Sequence, residues 1–279
     1  MIRELVDIGV NLTHRSFDRD RDAVIARGIA AGVTSFVITG TSVPDSQRAA
    51  ALARQRPAQS FATAGVHPHH AKDCDTQTIE ALRALAAEPA VVAIGECGLD
   101  FNRDFSPRDV QERWFEAQLE LAAEVALPVF LHERDASERM LAILTKHRPR
   151  LVGGVVHCFT GTRAEVERYL ALDLHIGITG WICDERRGAS LVDAAGAIPL
   201  DRLMLETDAP FLLPRAHLPA PPDGHDGRRN EPAFLPAVVT GIARATGRDE
   251  LEIALETTRT ARRFFGLPAT TTRSTAIGG

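Results

Sequence analysis

Short apolar runs rich in Val, Ile and Leu alternate along the chain with longer stretches whose apolar positions recur every three or four residues. The short runs predict strands at 5–11, 34–39, 60–66, 91–96, 128–132, 153–158, 174–179 and 202–207. The stretches between them predict amphipathic helices near 19–31, 44–55, 76–87, 106–128, 137–147, 163–172 and 188–197, with a final helical region from about 233 to 265. In 106–128, Ser106 suits a cap and Pro107 the first turn, and Val110, Trp114, Ala117, Leu121 and Val125 form the expected buried stripe. Within the first strand, "LVDIGVNLTH", strict alternation sets Asp7, Gly9 and Asn11 on one face and Val6, Ile8, Val10 and Leu12 on the other.

Eight strands, each followed by a helix, point to an α/β protein of the closed (β/α)8 TIM-barrel type, whose active site lies where the strands end. An open doubly wound sheet would be expected to carry a GxGxxG phosphate fingerprint, and the chain has none. Residues 1–267 read as one domain. The Pro/Gly-rich stretch "PRAHLPAPPDGHDGRRNEP" reads as a long loop on the catalytic side, and the polar tail 268–279 is expected to be disordered.

Composition narrows the class. The 279 residues are 44% hydrophobic and 25% charged, with a net charge of −5, which allows a large core and excludes a uniformly basic nucleic-acid-coating protein. The N-terminus is too short and too charged for a signal peptide, and no apolar run could span a bilayer, so a cytoplasmic protein with no membrane partner is expected. Cys74, Cys97, Cys158 and Cys183 form no CxxC pair, which fits a reducing compartment.

Candidate chemistry sits at the strand ends: Asp7 to Asn11, Thr39, His67, Glu96, His132, His157, Thr179 and Asp208. Each is roughly one βα unit from the next, so a barrel would bring them to one height around its mouth. Glu96 follows apolar and small residues, and a desolvated carboxylate there calls for a cation. His132 and His157 end hydrophobic strands, where neutral imidazole is a common ligand of a divalent ion. Alternation would turn Cys97 and Cys158 toward the helical layer and away from that ion. His69 and His70 read as solvated loop residues. His14, His147, His175, His217 and His225 are given structural roles.

The segments "DIGVNLT", "VITGT", "TAGVHPH", "VVAIGECGLDFNR", "PVFLHERDA", "HCFTGTRAE", "IGITGWICDERRG", "ETDAPFLLPR" and "RRNEP" resemble the TatD family of metal-dependent deoxyribonucleases, over about residues 6 to 266. The resemblance implies an amidohydrolase-like barrel and hydrolysis of phosphodiester bonds, chiefly removal of nucleotides from the 3′ end of single-stranded DNA. It makes Glu96, His132 and His157 metal ligands, Asp208 the catalytic aspartate that also approaches the metal, and His67 a substrate-side histidine. One departure stands out: most of the wider family begins Asp-x-His-x-His, and here Gly9 and Asn11 replace both histidines. A first metal position built on Asp7 and Asn11 is therefore expected to be weak. Glu133 stands where a cysteine is common.

The resulting expectation is a 3′–5′ exonuclease on single-stranded DNA, with RNA as a second substrate and a role in DNA degradation or repair. It would use a divalent cation, Mg2+ before Mn2+ or Zn2+, with Asp208 as general base. Arg228, Arg229, Arg186 and Arg187 are candidate phosphate clamps, and a monomer is favoured. The rival readings are another hydrolase on the same barrel, such as an aminoacyl-tRNA deacylase or small-amide hydrolase, and a non-catalytic nucleic-acid-binding protein.

Overall fold

The computed structural model describes residues 4–184, 188–216, 218, 225 and 227–268. Eight parallel strands follow one another around a barrel in chain order. They are β1 (Leu5–Val10), β2 (Val33–Ile38), β3 (Ser60–Ala64), β4 (Val91–Asp100), β5 (Val129–Arg134), β6 (Gly154–Val156), β7 (His175–Ile178) and β8 (Leu203–Leu205). The outer layer contains α1 (Arg21–Ala30), α2 (Val43–Arg54), α3 (Thr78–Ala86), α4 (Arg108–Val125), α5 (Ser137–His147), α6 (Arg163–Ala171), α7 (Ala189–Ala195), α8 (Leu235–Thr246) and α9 (Glu250–Phe265). The final helical region is therefore two helices. Gly247 ends α8 in the left-handed conformation, and Asp249 caps α9 by accepting from the backbone N–H groups of Leu251 and Glu252. Among the described residues, no helix is long and apolar enough to cross a membrane.

Two apolar layers follow from the pleat. Val6, Ile8, Val37, Phe61, Val92, Phe130, Val155 and Met204 fill the barrel interior, which Ala261, Phe265 and Leu267 close from the end of α9. Leu5, Val10, Phe36, Ile94, Leu131 and Ile176 join the larger layer between strands and helices. Alternation in β1 therefore breaks: Val6 and Ile8 face inward while Val10 and Leu12 face the helices. The register of β1 against β2 slips between Asp7 and Val10. Asp7 lies with Leu5 on the helix side, and the single polar face read from the sequence does not form.

The seam between β8 and β1 is closed by backbone bonds from Asp208 N to Gly9 O and from Asn11 N to Ala209 O, both 2.8 Å. Asp7 reinforces it. Its carboxylate accepts from Thr207 N at 2.9 Å and from Thr207 Oγ1 at 2.6 Å.

The buried stripe of α4 also differs from expectation, consisting of Gln111, Phe115, Gln118, Leu119, Leu121 and Ala122. Two polar residues are buried because strand ends need partners: Gln118 bonds both N and O of Val66, and Gln111 bonds N and O of Asp100. Ser106 does not cap α4; its hydroxyl accepts from Lys72 N and donates to His69 O. The expected disordered tail lies outside the described residues beyond Pro268, and so do Arg186 and Arg187.

Candidate metal centre

Glu96 is the hub of the barrel mouth. The register of β4 against β5 slips between Gly95 and Cys97, so Glu96 is the extra residue of a bulge, a device that re-aims a side chain. Gly95 has φ +145° and a Cβ there would overlap the backbone of Phe130, so the bulge needs glycine. Three imidazole nitrogens converge on one oxygen of this carboxylate: His132 Nδ1 and His157 Nε2 at 2.8 Å, and His67 Nε2 at 3.3 Å.

The outer bonds of each ring decide what its inner nitrogen offers. His157 Nδ1 lies 3.2 Å from Glu206 Oε2. With the proton held there, Nε2 presents a lone pair to the centre, the usual carboxylate–histidine–metal arrangement. His132 Nε2 is buried without a hydrogen bond and stands 3.5 Å from Asp100 Oδ2, which leaves Nδ1 facing inward. His67 differs: its Nδ1 accepts from His69 N at 3.0 Å, so the neutral ring carries its proton on Nε2 and acts as a donor. Burial pushes the pKa of His67 down to about 4, which keeps it neutral. Ligand atoms of His67, Glu96 and His132 do lie within 4.8 Å of one another, but the tautomer favours Glu96, His132 and His157 as the set that fits a cation. Two imidazole lone pairs aimed at a carboxylate repel it unless a cation or protons lie between them.

The electrostatics show that this centre demands positive charge, from a cation or from protons in its place. Burial alone would raise the Glu96 pKa, but His157, His67 and His132 outweigh it and hold the carboxyl well below the ordinary range. Burial opposes protonation of His157, and the charges of Glu96 and Glu206 overcome it, holding its pKa well above normal. Asp208 is pushed up to about 7 by burial and by Glu96 and Glu206, against the pull of His157 and of Asn11. Asn11 Nδ2 donates to Asp208 Oδ1 at 2.9 Å.

Several expectations need correction. Asp7 and Asn11 do not form a joint ligand pair: Asp7 is tied to Thr207 on the helix side of β1, and Asn11 spends its amide N–H on Asp208. The space left by the histidine missing at position 9 is filled by Glu206, a residue the sequence reading passed over. A Cβ on Gly9 or on Gly177 would overlap its carboxylate, which also accepts from Cys158 N. Its signal was a second acidic residue two positions before Asp208 on the same strand end. Arg229 is committed to structure: it donates to both oxygens of Asp20 at 2.9 and 2.6 Å and to Glu231 at 2.8 Å, with its guanidinium 4.8 Å from the ring centre of Phe17. That use replaces the expected phosphate clamp. Arg228 lines a cavity of about 620 Å3 beside Trp181 and Asp184.

Asp100 was also missed, although it continues the Glu96–Gly98 alternation. It is buried and accepts from His69 Nε2 at 2.7 Å, so His69 is not a solvated loop residue. His70 is half exposed and pairs with Asp73 at 3.5 Å. Cys97 packs in the helix-facing core as expected. Cys158 does not: with φ +46° it lines a cavity of about 370 Å3 with His132, Glu133, Arg134, His157, Thr160 and Trp181.

A (β/α)8 barrel with two imidazoles and buried carboxylates at its mouth defines a divalent-metal-dependent hydrolase. The model of the TatD related DNase family matches residues 6–266, and the chain belongs to that family. Among its relatives, the 3′-5′ ssDNA/RNA exonuclease TatD of Erwinia tasmaniensis is 56% identical over 263 residues, covering 94% of this chain and 100% of that protein. The protein of the same name from Erwinia billingiae is 54% identical over 265 residues, covering 95% and 100%. Among solved structures, a TatD homologue from Escherichia coli k12 superposes with a TM-score of 0.84 at 30% identity, covering 96% of this chain and all of that one.

Proposed function

We propose that this protein is a metal-dependent 3′–5′ exonuclease acting on single-stranded DNA and RNA. One observation carries the reading: His132 Nδ1 and His157 Nε2 meet the Glu96 carboxylate at 2.8 Å beside a half-buried aspartate, Asp208. Relatives above 50% identity that match nearly end to end carry the exonuclease name.

In this reading Glu96, His132, His157 and Asp208 hold the cation, and Mg2+ is the ion we assign. When bound, a divalent ion polarises phosphate oxygens and lowers the pKa of water. Asp208 would accept the proton as the water oxygen forms a bond to phosphorus and the P–O bond to the strand's 3′ oxygen breaks, that oxygen taking a proton from solvent as it leaves. Asn11 orients Asp208 through its amide, and Glu206 orients His157. His67, neutral and with Nε2–H directed inward, donates to a phosphate oxygen. A cytoplasmic setting and a part in nucleic-acid degradation or repair complete the proposal.

The test uses metal-stripped protein refilled with Mg2+, Mn2+ or Zn2+ and oligonucleotides labelled at either end, as single strands of DNA and RNA. Stepwise shortening from the 3′ end with Mg2+ is the expected result. Shortening from the 5′ end, or none with any of the three ions, would overturn it.

A further inference from the structure

We infer that the cavity between the β1–α1 connection and α2 is the track for the part of the nucleic-acid strand that stays on the enzyme, with Arg15 holding its backbone phosphate. The inference rests on the exonuclease reading and adds a binding site to it.

Two of the cavities at the barrel mouth open beside residues of the metal centre. The one on the β5–β7 side, lined by His132 and His157, has a volume of about 370 Å3. The other begins at Asn11 and Thr39, beside Asp208, and runs outward past Thr13, Arg15, Arg48 and Gln55 with a volume of about 750 Å3. An enzyme that removes one terminal nucleotide needs a short compartment for the departing unit and a longer one for the strand behind it. A third cavity, of about 620 Å3, shares Trp181 with the smaller one, so length alone does not choose a side; the lining of the larger cavity does, and it sends the retained 5′ portion over β1 and β2.

The lining suits a single strand. Arg15, Arg21 and Arg48 line the larger cavity together with Asp18 and Asp45, an excess of one positive charge in a protein of net charge −5. Arg21 pairs with Asp18 and Arg48 with Asp45, whereas exposed Arg15 makes no ion pair among the described residues. Arg15 is thus the guanidinium available to a phosphate. On the Asp208 side stands Phe211, 49% exposed, its ring 5.4 Å from that of His14 on the cavity wall. An exposed ring beside a cationic groove is the arrangement that stacks bases without reading their sequence.

The test compares a dinucleotide, which has no phosphate upstream of the bond cut, with an octanucleotide, in the wild type, Arg15→Ala and Ala51→Trp. Ala51 lines the same cavity, and tryptophan there narrows it while residue 15 remains arginine. Both variants should lose roughly tenfold in kcat/KM on the octanucleotide, carried by KM, and less than twofold on the dinucleotide. Binding of a labelled octanucleotide in Ca2+ should show a salt slope shallower by about 0.7 in Arg15→Ala, the loss of one single-strand phosphate contact. Equal losses on both substrates, or none on the octanucleotide, would overturn the track while leaving the exonuclease reading intact. If no oligonucleotide is cut with any ion, that reading fails, and the slope decides the track alone: an unchanged slope refutes it and a shallower one supports it.

Discussion

Glu206 occupies the space that any side chain at position 9 would need, and that exclusion couples the first strand to the metal centre. Gly9→Ala should force the carboxylate away from His157 and Cys158, at a cost of about 1–3 kcal/mol for overpacking, read by urea unfolding. Unchanged stability would mean that Glu206 has another place to go. Glu206→Gln keeps the volume but weakens the acceptor for His157 Nδ1, so metal affinity measured by calorimetry should drop about 10–100-fold while the fold persists. Asp208→Asn should lower kcat by at least about 100-fold with little change in strand affinity, because an amide cannot take a proton. An equal loss in binding would instead make Asp208 chiefly a holder of metal or substrate.

At the scale of elements, the seam between β8 and β1 depends on Asp7, whose pKa burial pushes up to about 7 against its bonds from Thr207. The sign follows from proton counting. Above the unfolded value of 3.8 the unfolded chain gives up this proton while the folded chain keeps it, so unfolding releases a proton and stability falls as pH rises. The contribution is fully present below pH 3.8, and its loss is complete above about pH 7. Asp7→Asn should remove this slope, so the stability difference between variant and wild type should move by a few kcal/mol, of order 3, between about pH 4 and pH 7. Parallel stability curves for the two proteins over that range would contradict the assignment. The same seam explains why β1 is irregular: its inner face must meet Glu206 at Gly9, and its outer face must meet Thr207 at Asp7.

Across the whole molecule, Arg229 joins the loop after β8 to the start of the outer layer. With Arg27 it encloses Glu231, which is fully buried, and Arg27 Nε reaches Glu231 Oε2 at 2.7 Å. Removing Arg229 leaves Glu231 and Asp20 to Arg27 alone, so Arg229→Ala should destabilise the protein by about 2 kcal/mol, the loss of charge-assisted hydrogen bonds, and leave the salt dependence of oligonucleotide binding unchanged. A variant of normal stability with a shallower salt slope would return Arg229 to the role of phosphate clamp.

The sequence by itself determined the barrel, because eight apolar strands with eight amphipathic partners have few other ways to bury their faces, and it placed Glu96, His132, His157 and Asp208 at strand ends by position alone. Tertiary structure decided everything that depends on what lies opposite. Strict alternation misplaced Asp7, because a register slip in β1 has no sequence mark. Arg229 looked like a clamp until Asp20, from a distant part of the chain, and its near neighbour Glu231 turned out to bind it. Glu206 and Asp100 were hidden because one carboxylate among many becomes significant only when a ring nitrogen stands beside it, and which ring does so is settled by packing between strands that the chain separates by dozens of residues.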